Sequence, residues 1–143
     1  MSLPRKVKDV MVRNPSTVAP DEGVLKPFEQ MLEGGFRHVP VVENGQLLGM
    51  LSDRDIMKHM PPPSVDAVDL PAHGRFVTLK VSEIMARPAL TVLETDSLEV
   101  AVELMLVNQI SAVVVTDDAD RLTGIVTLVD VARAFLKVLR SLP

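Results

Sequence analysis

Gly49-Met50-Leu51-Ser52-Asp53-Arg54-Asp55 reads as the end of a strand breaking into a helix. A glycine is followed by two aliphatic residues, a hydroxyl residue and, three positions after the hydroxyl, an aspartate. The same device returns as Gly124-Ile125-Val126-Thr127-Leu128-Val129-Asp130. A hydroxyl at a helix N-cap with an acid three residues on forms a capping box, which satisfies donors that the first helical turn leaves orphaned. One such device is common. Two in one chain of 143 residues predict two copies of one folding unit.

Outward from these turns the copies stay in step. Val7-Lys8-Asp9-Val10-Met11 falls on Val81-Ser82-Glu83-Ile84-Met85 at a shift of 74 residues, as do Thr17-Val18 on Thr91-Val92 and Met31-Leu32 on Met105-Leu106. Past the hairpin the shift is 75, because the second turn is one residue longer. In the first copy, residues 16–19 form a short strand candidate, and Pro20-Asp21-Glu22 is expected to open a helix with acids where its dipole favours them. Val24, Phe28, Met31 and Leu32 share one face of that helix. Pro27 is tolerable only near the first turn, and Gly34-Gly35 stops the helix. A β-branched strand over residues 38–42, an Asn44-Gly45 hairpin and a returning strand over Gln46–Ser52 follow, then a helix over residues 53–59. The second copy repeats this order: a strand at 90–93, a helix over 96–107 facing inward through Leu98, Val102 and Met105, strands at 111–116 and 122–127, and a final helix from Leu128. The expected fold class is α/β (α+β), two β-α-β-β-α repeats packed as a pseudo-two-fold pair. Residues 1–59 and 81–143 are the repeats; residues 60–80, with Pro61-Pro62-Pro63, Pro71 and Gly74, read as an irregular linker.

Composition bounds the chemistry. Hydrophobic residues make up 47% and aromatics 3%, so aliphatics and eight methionines must fill the core. A formal charge of −4 argues against nucleic acid as a partner. The absence of cysteine excludes disulfides, thiolate catalysis and cysteine-bound zinc, and with no apolar run long enough to span a bilayer the expectation is a cytoplasmic protein without a membrane partner. His38, His59 and His73 lack metal-ligand spacing. Asp53, Asp55, Asp117, Asp118 and Asp120 read as turn and cap residues, no nucleophile is flanked by a base, and no Walker-type lysine loop exists. The chain is not expected to be an enzyme.

With the repeat in place, the chain resembles a tandem cystathionine-β-synthase-type pair, a CBS pair or Bateman module. The residues that carry the resemblance are the two lead-ins at 7–11 and 81–85, Arg37-His38-Val39-Pro40-Val41-Val42 with Ile110 to Val115, and the two glycine-to-aspartate turns. The resemblance implies clefts that bind an adenosine nucleotide (AMP, ADP or ATP), or alternatively S-adenosylmethionine. It further implies pairing into a homodimer and control of a regulated protein, here by a stand-alone module acting in trans as an energy sensor.

Candidate ligand residues follow from both lines. Ser52, Asp55, Thr127 and Asp130 are explained as caps alone, yet a carboxylate at a helix start can also accept a ribose diol. The resemblance places Arg37 and His38 beside the Asp55 cleft and directs Arg54 toward the ligand held by Asp130; Ser111, Ala112 and Val129 stand at the corresponding second-copy positions. The two clefts are therefore expected to differ in phosphate binding. By the same resemblance, adenine lies against backbone at Asn14, Pro15 and Ser16 in one cleft and at Pro88, Ala89 and Leu90 in the other. Met50, Leu51, Ile125 and Val126 could sandwich the base, although each alone reads better as strand core. The final helix presents Leu128, Val131, Phe135, Leu139 and Leu142 on one stripe, part of which is expected to meet a second subunit. The rival expectation is a constitutive dimerisation module with empty clefts; a DNA-linked regulator lacks a reading helix.

Overall fold

The computed structural model describes residues 3–61 and 70–143. In chain order its elements are a 3₁₀ turn (Val7–Asp9), β1 (Val12–Arg13), α1 (Leu25–Gly34), β2 (His38–Glu43), β3 (Gln46–Ser52), α2 (Asp53–Met57), α3 (Leu70–Thr78), α4 (Val81–Ile84), β4 (Thr91–Leu93), α5 (Leu98–Asn108), β5 (Ala112–Thr116), β6 (Leu122–Thr127) and α6 (Leu128–Ser141). They fall into a continuous unit, Ser16–Ala89, and a discontinuous one, Met1–Pro15 with Leu90–Pro143.

The units do not coincide with the sequence repeats, because each repeat hands its lead-in to the other. In the discontinuous unit, Val7 N donates to Asp96 O, Lys8 N to Glu94 O and Leu98 N to Arg5 O. In the continuous unit, Val81 N donates to Glu22 O, Ser82 N to Pro20 O and Val24 N to Leu79 O. These are the same three bonds, displaced by the repeat shift and exchanged between copies. Val7 and Val81 are fully buried in their adopted cores, each worth about 1.5–3 kcal/mol of apolar burial.

The exchange explains the glycine that opens each repeated turn. In the discontinuous unit β1 lies antiparallel on β6, with Arg13 opposite Gly124. A Cβ on Gly124 would meet Val12 O at 2.8 Å and Met11 Sδ at 3.1 Å. In the continuous unit Ala86 bridges Met50, and a Cβ on Gly49 would collide with the Ala86 carbonyl. A crossing backbone, not turn geometry, demands both glycines.

The discontinuous unit has a four-stranded sheet ordered β1-β6-β5-β4, in which β4 runs parallel to β5. The continuous unit keeps only the β2-β3 hairpin as a ladder. The strand expected at 16–19 is reduced to a single parallel bridge, Val18 to Val41. The reason is Pro40. Its counterpart Val114 donates N–H to Leu90 O at 3.0 Å, whereas proline has no donor for Ser16 O.

Three further expectations are corrected. The first helix begins at Leu25, not at 20–22, because Pro20 O and Glu22 O are occupied by the exchanged lead-in. That helix buries Pro27 and Met31, with Val24 buried at its cap; Leu32, nearly a third of a turn off this face, is 70% exposed. Residues 60–80 are not irregular throughout: α3 occupies 70–78 and places Phe76 in the core of its unit, while the expectation for 62–69 lies outside the described residues. The hairpin turns, the Gly35 stop (φ 70°) and both capping boxes form where the sequence placed them.

Candidate functional site

Each capped helix start holds a carboxylate whose position is fixed by its own backbone. At α2, Asp55 Oδ2 accepts from Ser52 N at 3.0 Å, and Asp55 N donates to Ser52 Oγ at 3.1 Å. At α6, Asp130 Oδ2 accepts from Thr127 N at 3.0 Å and Thr127 Oγ1 at 2.8 Å, and Asp130 N donates to Thr127 Oγ1 at 3.1 Å. Both aspartates are half-buried. A carboxylate offers about four lone-pair positions, so each retains acceptor capacity after its cap is made. The start of the preceding strand is tied to the same place in both units: Asp53 N donates to Arg37 O, and Leu128 N to Ser111 O, each at 3.0 Å.

Of the nominated residues, the continuous unit contains Ser16, Arg37, His38, Ser52, Arg54, Asp55 and Ala89, and the discontinuous unit Pro15, Leu90, Ser111, Thr127 and Asp130. The surroundings of the two caps differ in charge. Beside Asp55, the highly exposed Arg37 approaches Asp53 only at the limit of an ion pair, Nε to Oδ2 4.0 Å, a contact worth at most about 1 kcal/mol. Arg54 is exposed. His38 is half-buried, and its pKa lies below the ordinary histidine value because burial disfavours the imidazolium more than Asp53 and Asp55 favour it. Beside Asp130, the matching positions are Ser111, Ala112, Leu128 and Val129, without a charge. There the lead-in turns at Asn14 with φ 51°, while its counterpart in the other copy is the cis Arg87–Pro88 peptide.

A groove of about 500 Å³ runs along α6 in the discontinuous unit, lined by Asp130, Arg133, Ala134, Lys137 and Val138 on the helix and by Leu3, Pro4, Asp9 and Val10 on the lead-in. Asp130 alone among the nominated residues lines it. Arg133 Nη1 stands 3.8 Å from Asp130 Oδ1. Arg133 and Lys137 are not among the nominated residues; their spacing of three and seven residues from Asp130 is the sequence signal for a common groove. Asp9 accepts from Arg5 N at 3.0 Å and Lys6 N at 2.9 Å, and those bonds hold its carboxyl below the ordinary range.

Leu51 and Val126, candidates to sandwich a base, are fully buried members of the two cores; Met50 and Ile125 are buried outside those clusters. No group of three His, Cys, Asp or Glu among the described residues could hold a metal ion, and no described helix is long and apolar enough to cross a membrane.

The family model described as "CBS domain" matches residues 7–62 and 81–137. The uncharacterized protein MJ1225 of Methanocaldococcus jannaschii is 30% identical over 138 residues, covering 90% of this chain; the chain spans 46% of that relative's length. Among solved structures, the CBS domain pair of protein MJ0100, in complex with 5′-methylthioadenosine and S-adenosyl-L-methionine, superposes with a TM-score of 0.75 at 27% identity, covering 92% of this chain and 96% of that one. CBSX2 in complex with AMP gives a TM-score of 0.75 at 26% identity, covering 93% and 97%.

Proposed function

Because this chain belongs to the CBS-domain family and carries the repeat twice, we propose that it is a non-catalytic regulatory module whose two acidic caps bind an adenosine nucleotide. AMP, ADP or ATP is the ligand class, with S-adenosylmethionine as the alternative, and occupancy reports the adenylate state to a regulated protein in the cytoplasm. The observation that carries this reading is the pair Asp55 and Asp130. Each is fixed by its own capping box, half-buried, and left with acceptor capacity suited to a ribose diol. The adenosyl ligands of the MJ0100 pair and the AMP of CBSX2 support the ligand class.

The two sites are unequal in this reading. Arg37 and Arg54 give the first copy charges, and His38 a neutral ring, that Ser111, Ala112 and Val129 do not supply in the second. The Ser16 carbonyl lacks the ladder donor that Leu90 O enjoys, which leaves it as a backbone acceptor in the first copy. Backbone at Pro15 and Ser16, and at Ala89 and Leu90, meets the base.

Thermal denaturation tests the proposal, since a ligand that binds only folded protein stabilises it by about 2.7 kcal/mol at a hundred times Kd and so raises the midpoint with concentration. Adenosine, AMP, ATP or S-adenosylmethionine should give such a shift. Asp55→Ala and Asp130→Ala should each remove one site's share, and the double variant all of it. No shift with any of the four would sink the reading.

One observation favours an assembly role alongside binding. On α5, Val100, Leu106 and Val107 are exposed opposite its buried face, and Phe135 and Leu139 on α6 and Leu142 just past its end are exposed. A helix apolar all round belongs in an interior, and we read these faces as the contact of a homodimer. Sedimentation equilibrium giving a monomer at micromolar concentration would exclude it.

A further inference from the structure

The two cores correspond through the repeat shift except in one corner. Val18, Met31, Val39 and Val81 of the continuous unit have Val92, Met105, Val113 and Val7 at the matching places of the other core. Phe76 has no such match. Helix α3 places it in the core of the continuous unit, where Val24 is fully buried and Phe28 and Leu79 pack alongside. The shift carries Val24 and Phe28 to Leu98 and Val102, and neither of these belongs to the core of the discontinuous unit. Both are only half-buried, and they line an open groove of about 790 Å³ between α5 and the lead-in.

We infer that this groove is a docking seat for a helix of a partner protein that presents an aromatic side chain. The partner's ring does for Leu98 and Val102 what Phe76 does within the other copy. The seat is separate from the acidic caps, and the inference stands apart from the adenosine reading.

The described lead-in leaves the seat open. In the continuous unit α3 runs directly into the lead-in, and Leu79 N donates to Phe76 O. The same shift puts Val77 on Leu3, which lines the other groove, along α6. It puts Phe76 on Ser2, a residue type with no apolar body to bury. Leu98 and Val102 are four residues apart on α5 and so share one face, the spacing by which a groove receives the apolar side of a helix. An aromatic ring is the side chain that buries the most apolar surface in such a place.

Charge sorts the rim. Glu99 and Glu103 stand on the α5 side, Arg5 and Lys6 on the lead-in side. None of the four takes part in an ion pair among the described residues. The acidic side therefore suits a base next to the aromatic anchor, and α3 itself carries Arg75 beside Phe76.

The probe is a synthetic peptide with the sequence of α3, residues 70–78, titrated to several millimolar into the isotope-labelled full chain and followed amide by amide in NMR spectra. Saturable shifts are expected at Leu98, Val102 and Glu103, with half-saturation at about 1 mM or below, while the β5 amides stay still. The peptide carrying Phe76→Ala should bind about tenfold more weakly or worse. Glu103→Lys in the full chain changes an exposed rim residue, leaves the core intact, and should weaken the peptide about threefold. No saturable shift on α5, equal binding of the Phe76→Ala peptide, or tighter binding in Glu103→Lys overturns the inference. Shifts at Leu98 and Val102 that grow with protein concentration in the absence of peptide would put a second copy in the seat and overturn it too.

Discussion

The continuous and discontinuous units are built from matching sequence by the same exchanged hydrogen bonds, yet they close their sheets differently. In the discontinuous unit β4, β5, β6 and β1 form one ladder, and α6 continues for 14 residues beyond its cap. In the continuous unit two of those four strands shrink to single bridges at Val18 and Ala86, and α2 stops after five residues. Single residues account for much of the difference. Proline at position 40, where the other copy has Val114, withdraws one donor and leaves the flanking strand unzipped. In the first copy α2 ends at Met57, while in the second α6 continues through Arg133, Lys137 and Arg140. Duplication kept the frame, and the copies diverged where a backbone donor or a helix length could change without disturbing the cap.

The largest expected effect comes from importing the weaker copy's proline. Val114→Pro should cost about 3 kcal/mol in urea unfolding, since it strips a buried central strand of a donor and leaves Leu90 O unmatched. The reverse change, Pro40→Val, should move stability by no more than about 1 kcal/mol, because a gained ladder bond offsets the lost restriction of the unfolded chain. A new protected amide at position 40 in hydrogen exchange would show the ladder extending. If Val114→Pro is neutral, the account of the unequal sheets is wrong.

Next in size are the crossing glycines. Gly49→Ala should destabilise by about 2 kcal/mol and Gly124→Ala by about 1, as overpacking against backbone rather than a yielding side chain. Both changes should also loosen the lead-in, seen as faster exchange at the Ala86 and Val12 amides. Equal tolerance of alanine at both sites would mean the lead-ins do not cross there.

The smallest effect is a pH dependence confined to one copy. His38 has a folded pKa below its unfolded value, so the unfolded chain binds more protons between the two. The stability that neutral His38 contributes is present above about pH 6.5, the unfolded value, and is lost as pH falls from there toward the folded pKa. His38→Gln should flatten this slope, and amides of the discontinuous unit, with Ala112 at the matching place, should not follow it. Stability rising on acidification through this window would reverse the sign and refute the assignment.

Much of this molecule was legible in its sequence because the signals are local. Ser52 with Asp55 and Thr127 with Asp130 are capping boxes at any location, Asn44-Gly45 turns a hairpin wherever it occurs, and self-alignment of the lead-ins exposed the duplication. The start of α1 was misplaced because Pro20 and Glu22 bond to residues some sixty positions away, and no window of local periodicity contains those partners. Leu32 was put inside because a hydrophobic residue next to Met31 widens the apparent stripe, although it stands about 100° around the helix from Met31. The groove residues were visible as basic positions on α6, but their common wall exists only once residues 3–10 are laid against that helix.

The sequence by itself determined that there are two copies, where each helix is capped and which carboxylates those caps hold, since each rests on interactions a few residues apart. Tertiary structure alone decided which copy receives which lead-in. The two acceptor frames are near-identical, so the chemistry of Val7 or Val81 does not choose between them; the choice lies in the path of the connecting backbone, which the residue pattern does not encode locally.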